Sequence, residues 1–500
     1  MTSMPKHYKY FKEMVHILNR TNLIKNLELI HKSHLDEKTC MNNGEQTPFW
    51  NNLYTAQAIE IFRELLINSS TSIDIGLDIK TLSNVIWNYT KVKDDLSRRK
   101  IRKSEKTGRQ KGDILYPLSH KQFWYQRIEN ELLNHLNYIY NYYKSIWFDE
   151  YIQQALWISL ERLLIVWFLI SHVAENNVYI DLEREWQLFN EEREIIIREY
   201  SIDLDELVAE LTNNYKTTSI FKDITEFEYY GLWMIFDKPL IKVDWKYMCI
   251  FPILLLNRVT NAIYHLFDRK FRDKEYWDIN EWFMVSLFKK LSSANVIYTK
   301  NFEEGYSQHD KPSNPDIIIE QWENVLFIEC KSNSITYNSI KNGLSEGDKE
   351  KIKGNIRQIY KAISFYTELE EGAKYFWLNK KWNHLIIPII SYVNNPYLGF
   401  WDYLGEIVDE VIIENDEITI DIVDKNPLMI IWNKDIVYLL NILNSIWLEG
   451  FYSLVYSDGY KWWELEAIIS DIYKKIDIDD EIFYDYSFYD LLKKEWEKHV

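Results

Sequence analysis

The run Val325-Leu326-Phe327-Ile328-Glu329-Cys330-Lys331 constrains the fold most, because its apolar residues occupy positions of both parities. Alternate side chains of a strand point to opposite faces, so a strand apolar at both parities is covered on both sides. Glu329 and Lys331 lie two positions apart and share a face. On an edge strand they would form an ordinary surface pair. In a covered strand an unpaired charge costs roughly several kcal/mol, so the two need a partner or a chemical task.

Upstream, Pro315-Asp316 opens a second apolar run, Ile317-Ile318-Ile319, and the polar segment from Glu320 to Asn324 reads as a hairpin loop. If Ile319 faces Val325, Asp316 falls opposite Ile328, within one position of Glu329. Two carboxylates and an ammonium then meet at one end of a hairpin. Carboxylates that close repel each other and raise a pKa unless a positive charge lies between them, and such an oxygen-rich cluster suits a hard cation such as Mg²⁺.

Pro315-Asp316 followed by Glu329-Cys330-Lys331 resembles the PD-(D/E)XK nuclease superfamily, whose signature is an acid at the start of one strand and acid-X-Lys on the next. Such enzymes carry a helix before these strands, often with an acid, and here Trp277 to Leu291 has helical apolar spacing with Glu281 in its first turns. They carry a helix after the motif, often with a polar residue, and here Glu350 to Tyr366 carries Gln358. Apolar strands at Asn295 to Phe302 and Leu385 to Val393 complete the order the fold requires. The resemblance covers residues 270 to 440, about a third of the chain. It implies a restriction-endonuclease-like α/β/α core that cleaves phosphodiester bonds with Mg²⁺ or Mn²⁺. Asp316, Glu329 and the Cys330 backbone carbonyl would be metal ligands, with Glu281 as a further one. Lys331 would orient or deprotonate the attacking water, and Gln358 would support the site. Glu320 is less suited as a ligand because it falls in the loop.

The helix after the motif also reads independently. Ile352, Ile356, Ile359 and Ile363 form one apolar stripe that would cover a sheet, while Lys353, Arg357 and Lys361 form a separate basic ridge. That ridge is either a solvated helix face or a set of phosphate contacts. The distinction matters because the net charge is −18, which repels nucleic acid at long range and demands a local basic surface. Residues 91 to 111 offer another, with ten Lys or Arg against three acids; Arg98, Arg99, Lys100, Arg102 and Lys103 are its densest part. This stretch reads as a solvated linker or as a clamp on nucleic acid or an acidic partner.

Five hundred residues exceed one ordinary core, so more than one domain is expected. From His7 to about residue 235 the pattern is of amphipathic helices, at Thr55 to Ile67, Phe123 to Trp147, Tyr151 to Glu175 and Leu204 to Tyr215. Trp124-Tyr125, Tyr142-Tyr143 and Trp147 read as core aromatics rather than base-stacking platforms. The expected fold is α+β and multidomain: an all-helical domain over 1–240, the nuclease-like core with a bridging segment over 241–440, and an acidic helical segment over 441–500. Leu428 to Trp432 reads as one more strand, and Asp435 to Leu448, Lys461 to Lys475 and Tyr486 to Lys498 as closing helices. The longest apolar run, Leu163 to Ile170, is too short to span a bilayer. Cys40, Cys249 and Cys330 have no metal-ligand spacing, which points to a reducing cytoplasm and no zinc. No phosphate-binding glycine loop is present, and His309-Asp310 reads as a loop pair rather than a catalytic dyad.

A large helical domain fused to such a core resembles bacterial antiphage effectors, which implies a phage-derived trigger or protein partner. The superfamily resemblance implies DNA as substrate ahead of RNA and allows a homodimer. An RNA endonuclease, or a nuclease fold that binds without cutting, are the alternatives.

Overall fold

The computed structural model describes residues 14–16, 55–68, 84–85, 87–89, 91, 132–145, 150, 152–154, 157–176, 179–182, 190–217, 235, 238–249, 255, 269–300, 313–322, 324–331, 344–368, 375–376, 378, 385–393, 403–457, 465–476 and 487–497. The chain is a mixed α+β protein that divides into two compact units, Met1–Leu266 with Leu491–Val500, and Phe267–Asp490. Among the described residues no helix is long and apolar enough to cross a membrane.

The first unit contains helices α1 (Thr55–Asn68), α2 (Leu132–Ser145), α3 (Leu160–Asn176), α4 (Asn190–Tyr200) and α5 (Leu204–Thr217). It is not all-helical, as the sequence pattern implied. Strands β1 (Tyr179–Ile180), β2 (Ser201–Asp203), β3 (Leu240–Val243) and β4 (Lys246–Met248) form a sheet in the order β1-β4-β3-β2. Strands of two to four residues are too short to show a period-two alternation, so helix signals on either side mask them. The expected boundary at residue 240 would cut β3. Aromatics do form core here: Tyr142 and Tyr143 are buried, and Trp167 packs edge-on against Tyr200 at 4.7 Å.

The second unit is built on a five-stranded sheet of β5 (Asn295–Tyr298), β6 (Ile317–Gln321), β7 (Asn324–Lys331), β8 (Ile386–Tyr392) and β9 (Met429–Trp432), in that spatial order. The β5-β6-β7 pairs are antiparallel and the β7-β8-β9 pairs parallel. Every residue of β7 is buried, as its apolar run on both faces requires. Helices α6 (Arg269–Phe288) and α7 (Glu346–Glu368) flank it, and α8 (Tyr403–Glu414) and α9 (Ile420–Lys425) connect β8 to β9. Helices α10 (Ile436–Ser457) and α11 (Leu465–Lys475) follow, and α12 (Ser487–Glu497) spans the division of the chain at Leu491. Helix α10 runs through residue 440 and packs on α6 and β7.

Helices cover both faces of the sheet. Tyr392 in β8 accepts a hydrogen bond from Asn355 of α7, while its neighbour Ser391 connects through Asn433 to Asn280 of α6. Adjacent strand residues point to opposite faces, so α6 and α7 lie on opposite sides. The stripe Ile352, Ile356, Ile359 and Ile363 is buried on the α7 side, and Phe327 of β7 meets Tyr366 edge-on at 5.7 Å.

Two expectations need correction. The β6-β7 register is shifted by one: Ile319 pairs with Leu326, and Gln321 with Asn324. Glu320 and Gln321 stay in the strand because Gln321 is satisfied there, donating to Ser293 Oγ at 2.9 Å and accepting from the Leu448 N–H at 2.8 Å. The turn is correspondingly tight, with Trp322 at φ 59°. Continuing the ladder by one position brings Asp316 level with Glu329 rather than Ile328. Glu320, expected in a loop, is a strand residue that accepts from Asn295.

The basic ridge of α7 is met by carboxylates, with Lys353 buried and Arg357 and Lys361 partly exposed. Lys353 is buried among Glu350, Glu410 and Glu414, Arg357 lies 3.5 Å from Glu414, and Lys361 lies 2.6 Å from Glu417. These cations hold α7 to α8 and the turn after it. Removing one partner of a buried ion pair strands the other charges, at a cost of about 3 to 5 kcal/mol, whereas an exposed pair contributes about 1 kcal/mol or less. Lys353→Ala is therefore expected to lower the urea midpoint markedly and Lys361→Ala to leave it nearly unchanged; equal midpoints for the two variants would contradict this role.

Candidate functional site

At the carboxyl end of β7, Glu329 is fully buried and Lys331 nearly so, and Lys331 Nζ donates to Glu329 Oε1. The other oxygen, Glu329 Oε2, is buried and receives no hydrogen bond from the described residues. Asp316 arrives from the start of β6, and its Oδ2 accepts the Cys330 N–H at 2.7 Å. Thr299 fixes this turn by donating its hydroxyl to the Pro315 carbonyl and its N–H to the Asp316 carbonyl at 3.1 Å. The hairpin thus brings Asp316, Glu329, Cys330 and Lys331 together, as their spacing suggested.

The electrostatics follow from burial. The Glu329 carboxyl is raised well above the usual range, first by loss of water and then by the Asp316 charge, with Lys331 opposing both. The Asp316 carboxyl lies deep although the residue keeps some exposed surface; burial pushes it up to about 7, Lys331 and the Cys330 N–H pull it down, and Glu281 adds repulsion. Burial works against the Lys331 charge, yet Glu329 and Asp316 outweigh it and hold the ammonium above its ordinary pKa. The Cys330 thiol is pushed up by burial, which makes it a poor nucleophile.

Helix α6 and strand β5 supply the rim. Glu281 is buried; its Oε2 accepts from Tyr298 Oη at 2.9 Å and lies 2.9 Å from Lys300 Nζ, which also contacts Asp278. Gln358 lies beside the segment that leads to Asp316. Its amide donates to the Asn314 carbonyl at 3.1 Å, bracing the chain just before Pro315-Asp316. Lys353, Arg357 and Lys361 are turned to α8. Arg98, Arg99, Lys100, Arg102, Lys103 and the His309-Asp310 pair lie outside the described residues.

Sequence reasoning missed Tyr298 and Lys300, although their two-residue spacing at the end of an expected strand places them on one face. It also missed a buried chain in which Ser391 donates to Asn433 and Asn433 donates to Asn280 at 2.6 Å, tying α6 to β8 beside Glu281. Single polar residues in apolar segments gave no periodic signal for that chain.

Among the described residues, no group of three or more His, Cys, Asp or Glu side chains is arranged to hold a metal. Mg²⁺ needs fewer, since it commonly takes one or two carboxylates and keeps several waters. Asp316 and Glu329 fit that requirement: both are destabilised as anions by burial, Asp316 further by Glu281 and Glu329 by Asp316, and Glu329 Oε2 has no donor among the described residues. The sequence matches no protein-family model, and neither a curated protein nor a solved structure matches it.

The Asp316 shift has a measurable consequence. An acid whose pKa rises from 3.8 to about 7 on folding binds more protons folded than unfolded between those values. Its contribution to stability is present at pH 4 and lost as pH rises through 7. In EDTA, Asp316→Asn is expected to be more stable than wild type at pH 8, by on the order of 1 to 3 kcal/mol, and to lose that advantage by pH 4. Thermal melts at the two pH values test this; a variant less stable than wild type at pH 8 would contradict it.

Proposed function

We propose that this protein is a divalent-metal-dependent endonuclease, with DNA the preferred substrate and RNA the alternative. The observation that carries the reading is the meeting of Asp316, Glu329 and Lys331 at the end of a two-sided sheet, in the order of the PD-(D/E)XK motif. The rim acid Glu281 from the preceding helix supports it. Asp316 and Glu329, with the Cys330 carbonyl, would hold Mg²⁺ or Mn²⁺. Bound there, the ion would lower the pKa of a water and neutralise charge on the phosphate oxygens.

The chain's own groups divide the remaining work. Lys331 is held protonated by two carboxylates, so it acts as a donor: it orients the attacking water and stabilises negative charge as it grows on the phosphorus centre. Glu329 Oε1 fixes that ammonium in place. Gln358 and Thr299 keep the Asp316 turn from moving. A part in bacterial antiphage defence, with the first unit answering to a phage component or protein partner, accords with the net charge of −18, which discourages indiscriminate binding to host DNA.

The test is cleavage of plasmid DNA, single-stranded DNA and total tRNA by purified protein in Mg²⁺ or EDTA. The expected result is cutting that EDTA abolishes and that Lys331→Ala slows by about 100-fold or more. Cutting that persists in EDTA, or at full rate in Lys331→Ala, would contradict the reading.

A further inference from the structure

A phosphodiester must bring its negative charge to a place already occupied by Glu281, Asp316 and Glu329. Among the described residues, Lys331 and Lys300 act on these acids. Lys331 is buried and committed to Glu329, so it serves the reacting centre and not the rest of the substrate. Lys300, two residues beyond the end of β5, is placed differently. Its side chain is 37% exposed, and it contacts both the buried Glu281 and Asp278, whose side chain is 71% exposed.

An ion pair that exposed contributes little, because water and salt screen it, so Asp278 is readily exchanged for another anion. Lys353 of α7 is different in kind: it is buried among carboxylates, so releasing it would loosen the helix packing, whereas Lys361, about as exposed as Lys300, pairs with Glu417 of the turn after α8 and not with an acid of the site. Lys300 also acts on the site itself, since its charge is one of those that draw the Asp316 carboxyl downward. Tyr298 keeps Glu281 in place from the other side by donating to the same oxygen that Lys300 contacts.

We propose that Lys300 is a substrate-binding residue that contacts a backbone phosphate of the polynucleotide next to the scissile one, giving up Asp278 for a phosphate oxygen. This rests on the nuclease reading of the site. It assigns phosphate recognition to the rim formed by β5 and α6, away from the α7 ridge.

The experiment is an anisotropy titration of labelled duplex and single-stranded oligonucleotides with the full chain in Ca²⁺, over a series of salt concentrations, with gel analysis to establish that the strands stay intact. Lys300→Gln is expected to weaken binding about tenfold and to make the slope of log K against log salt shallower by about 0.7 to 0.9, the signature of one lost phosphate contact. Lys300→Arg is expected to restore the slope, and Lys361→Gln to match wild type. Wild-type binding with an unchanged slope in Lys300→Gln would overturn this assignment and leave the nuclease reading standing. No binding of either oligonucleotide by wild type would overturn both. A far-UV spectrum and melting temperature for each variant separate loss of contact from loss of fold.

Discussion

The second unit depends on one unfavourable act, the burial of the Glu329 carboxylate inside a strand with no exposed residue. Lys331 repays part of the desolvation cost through Glu329 Oε1, but Asp316 adds repulsion, and Glu329 Oε2 is left without a donor among the described residues. A purely structural pair would be better satisfied, because breaking or leaving incomplete a buried charge cluster is expensive. In the proposed function a bound divalent cation would balance these charges.

The surrounding architecture supplies what such a cluster needs. Antiparallel pairing of β6 with β7 brings Asp316 beside the strand that carries Glu329, and parallel pairing of β7 with β8 leaves room for α7 to cover one face. The buried Ser391–Asn433–Asn280 chain joins the sheet to α6, the helix that carries Glu281. Hydrogen bonds from Thr299 and Gln358 hold the Pro315-Asp316 turn. The buried charges are thus concentrated at one end of β7, whose middle residues, Val325 to Ile328, are apolar.

The legible parts were those with a strong period or an extreme composition. The two-sided run of β7 and the isoleucine stripe of α7 read directly, because both patterns follow from which surfaces must be covered. The register of β6 did not, because Gln321 looks like a loop residue until Ser293 and Leu448 are seen to satisfy its amide. The ridge of Lys353, Arg357 and Lys361 read as a solvated face or as phosphate contacts because its acidic partners, Glu410, Glu414 and Glu417, lie some 50 to 60 positions further along the chain. The sheet of the first unit was hidden by the brevity of its strands. Each miss came from a contact that sequence spacing does not encode.

The central claim, that Asp316 and Glu329 form a cation site, is tested most directly by titrating Mn²⁺ into the full chain and following free Mn²⁺ by electron paramagnetic resonance. The account predicts saturable binding by wild type at pH 8 that is lost or greatly weakened in Glu329→Gln, with the variant still folded. Equal Mn²⁺ binding by the folded variant and wild type, or none by either, would contradict it.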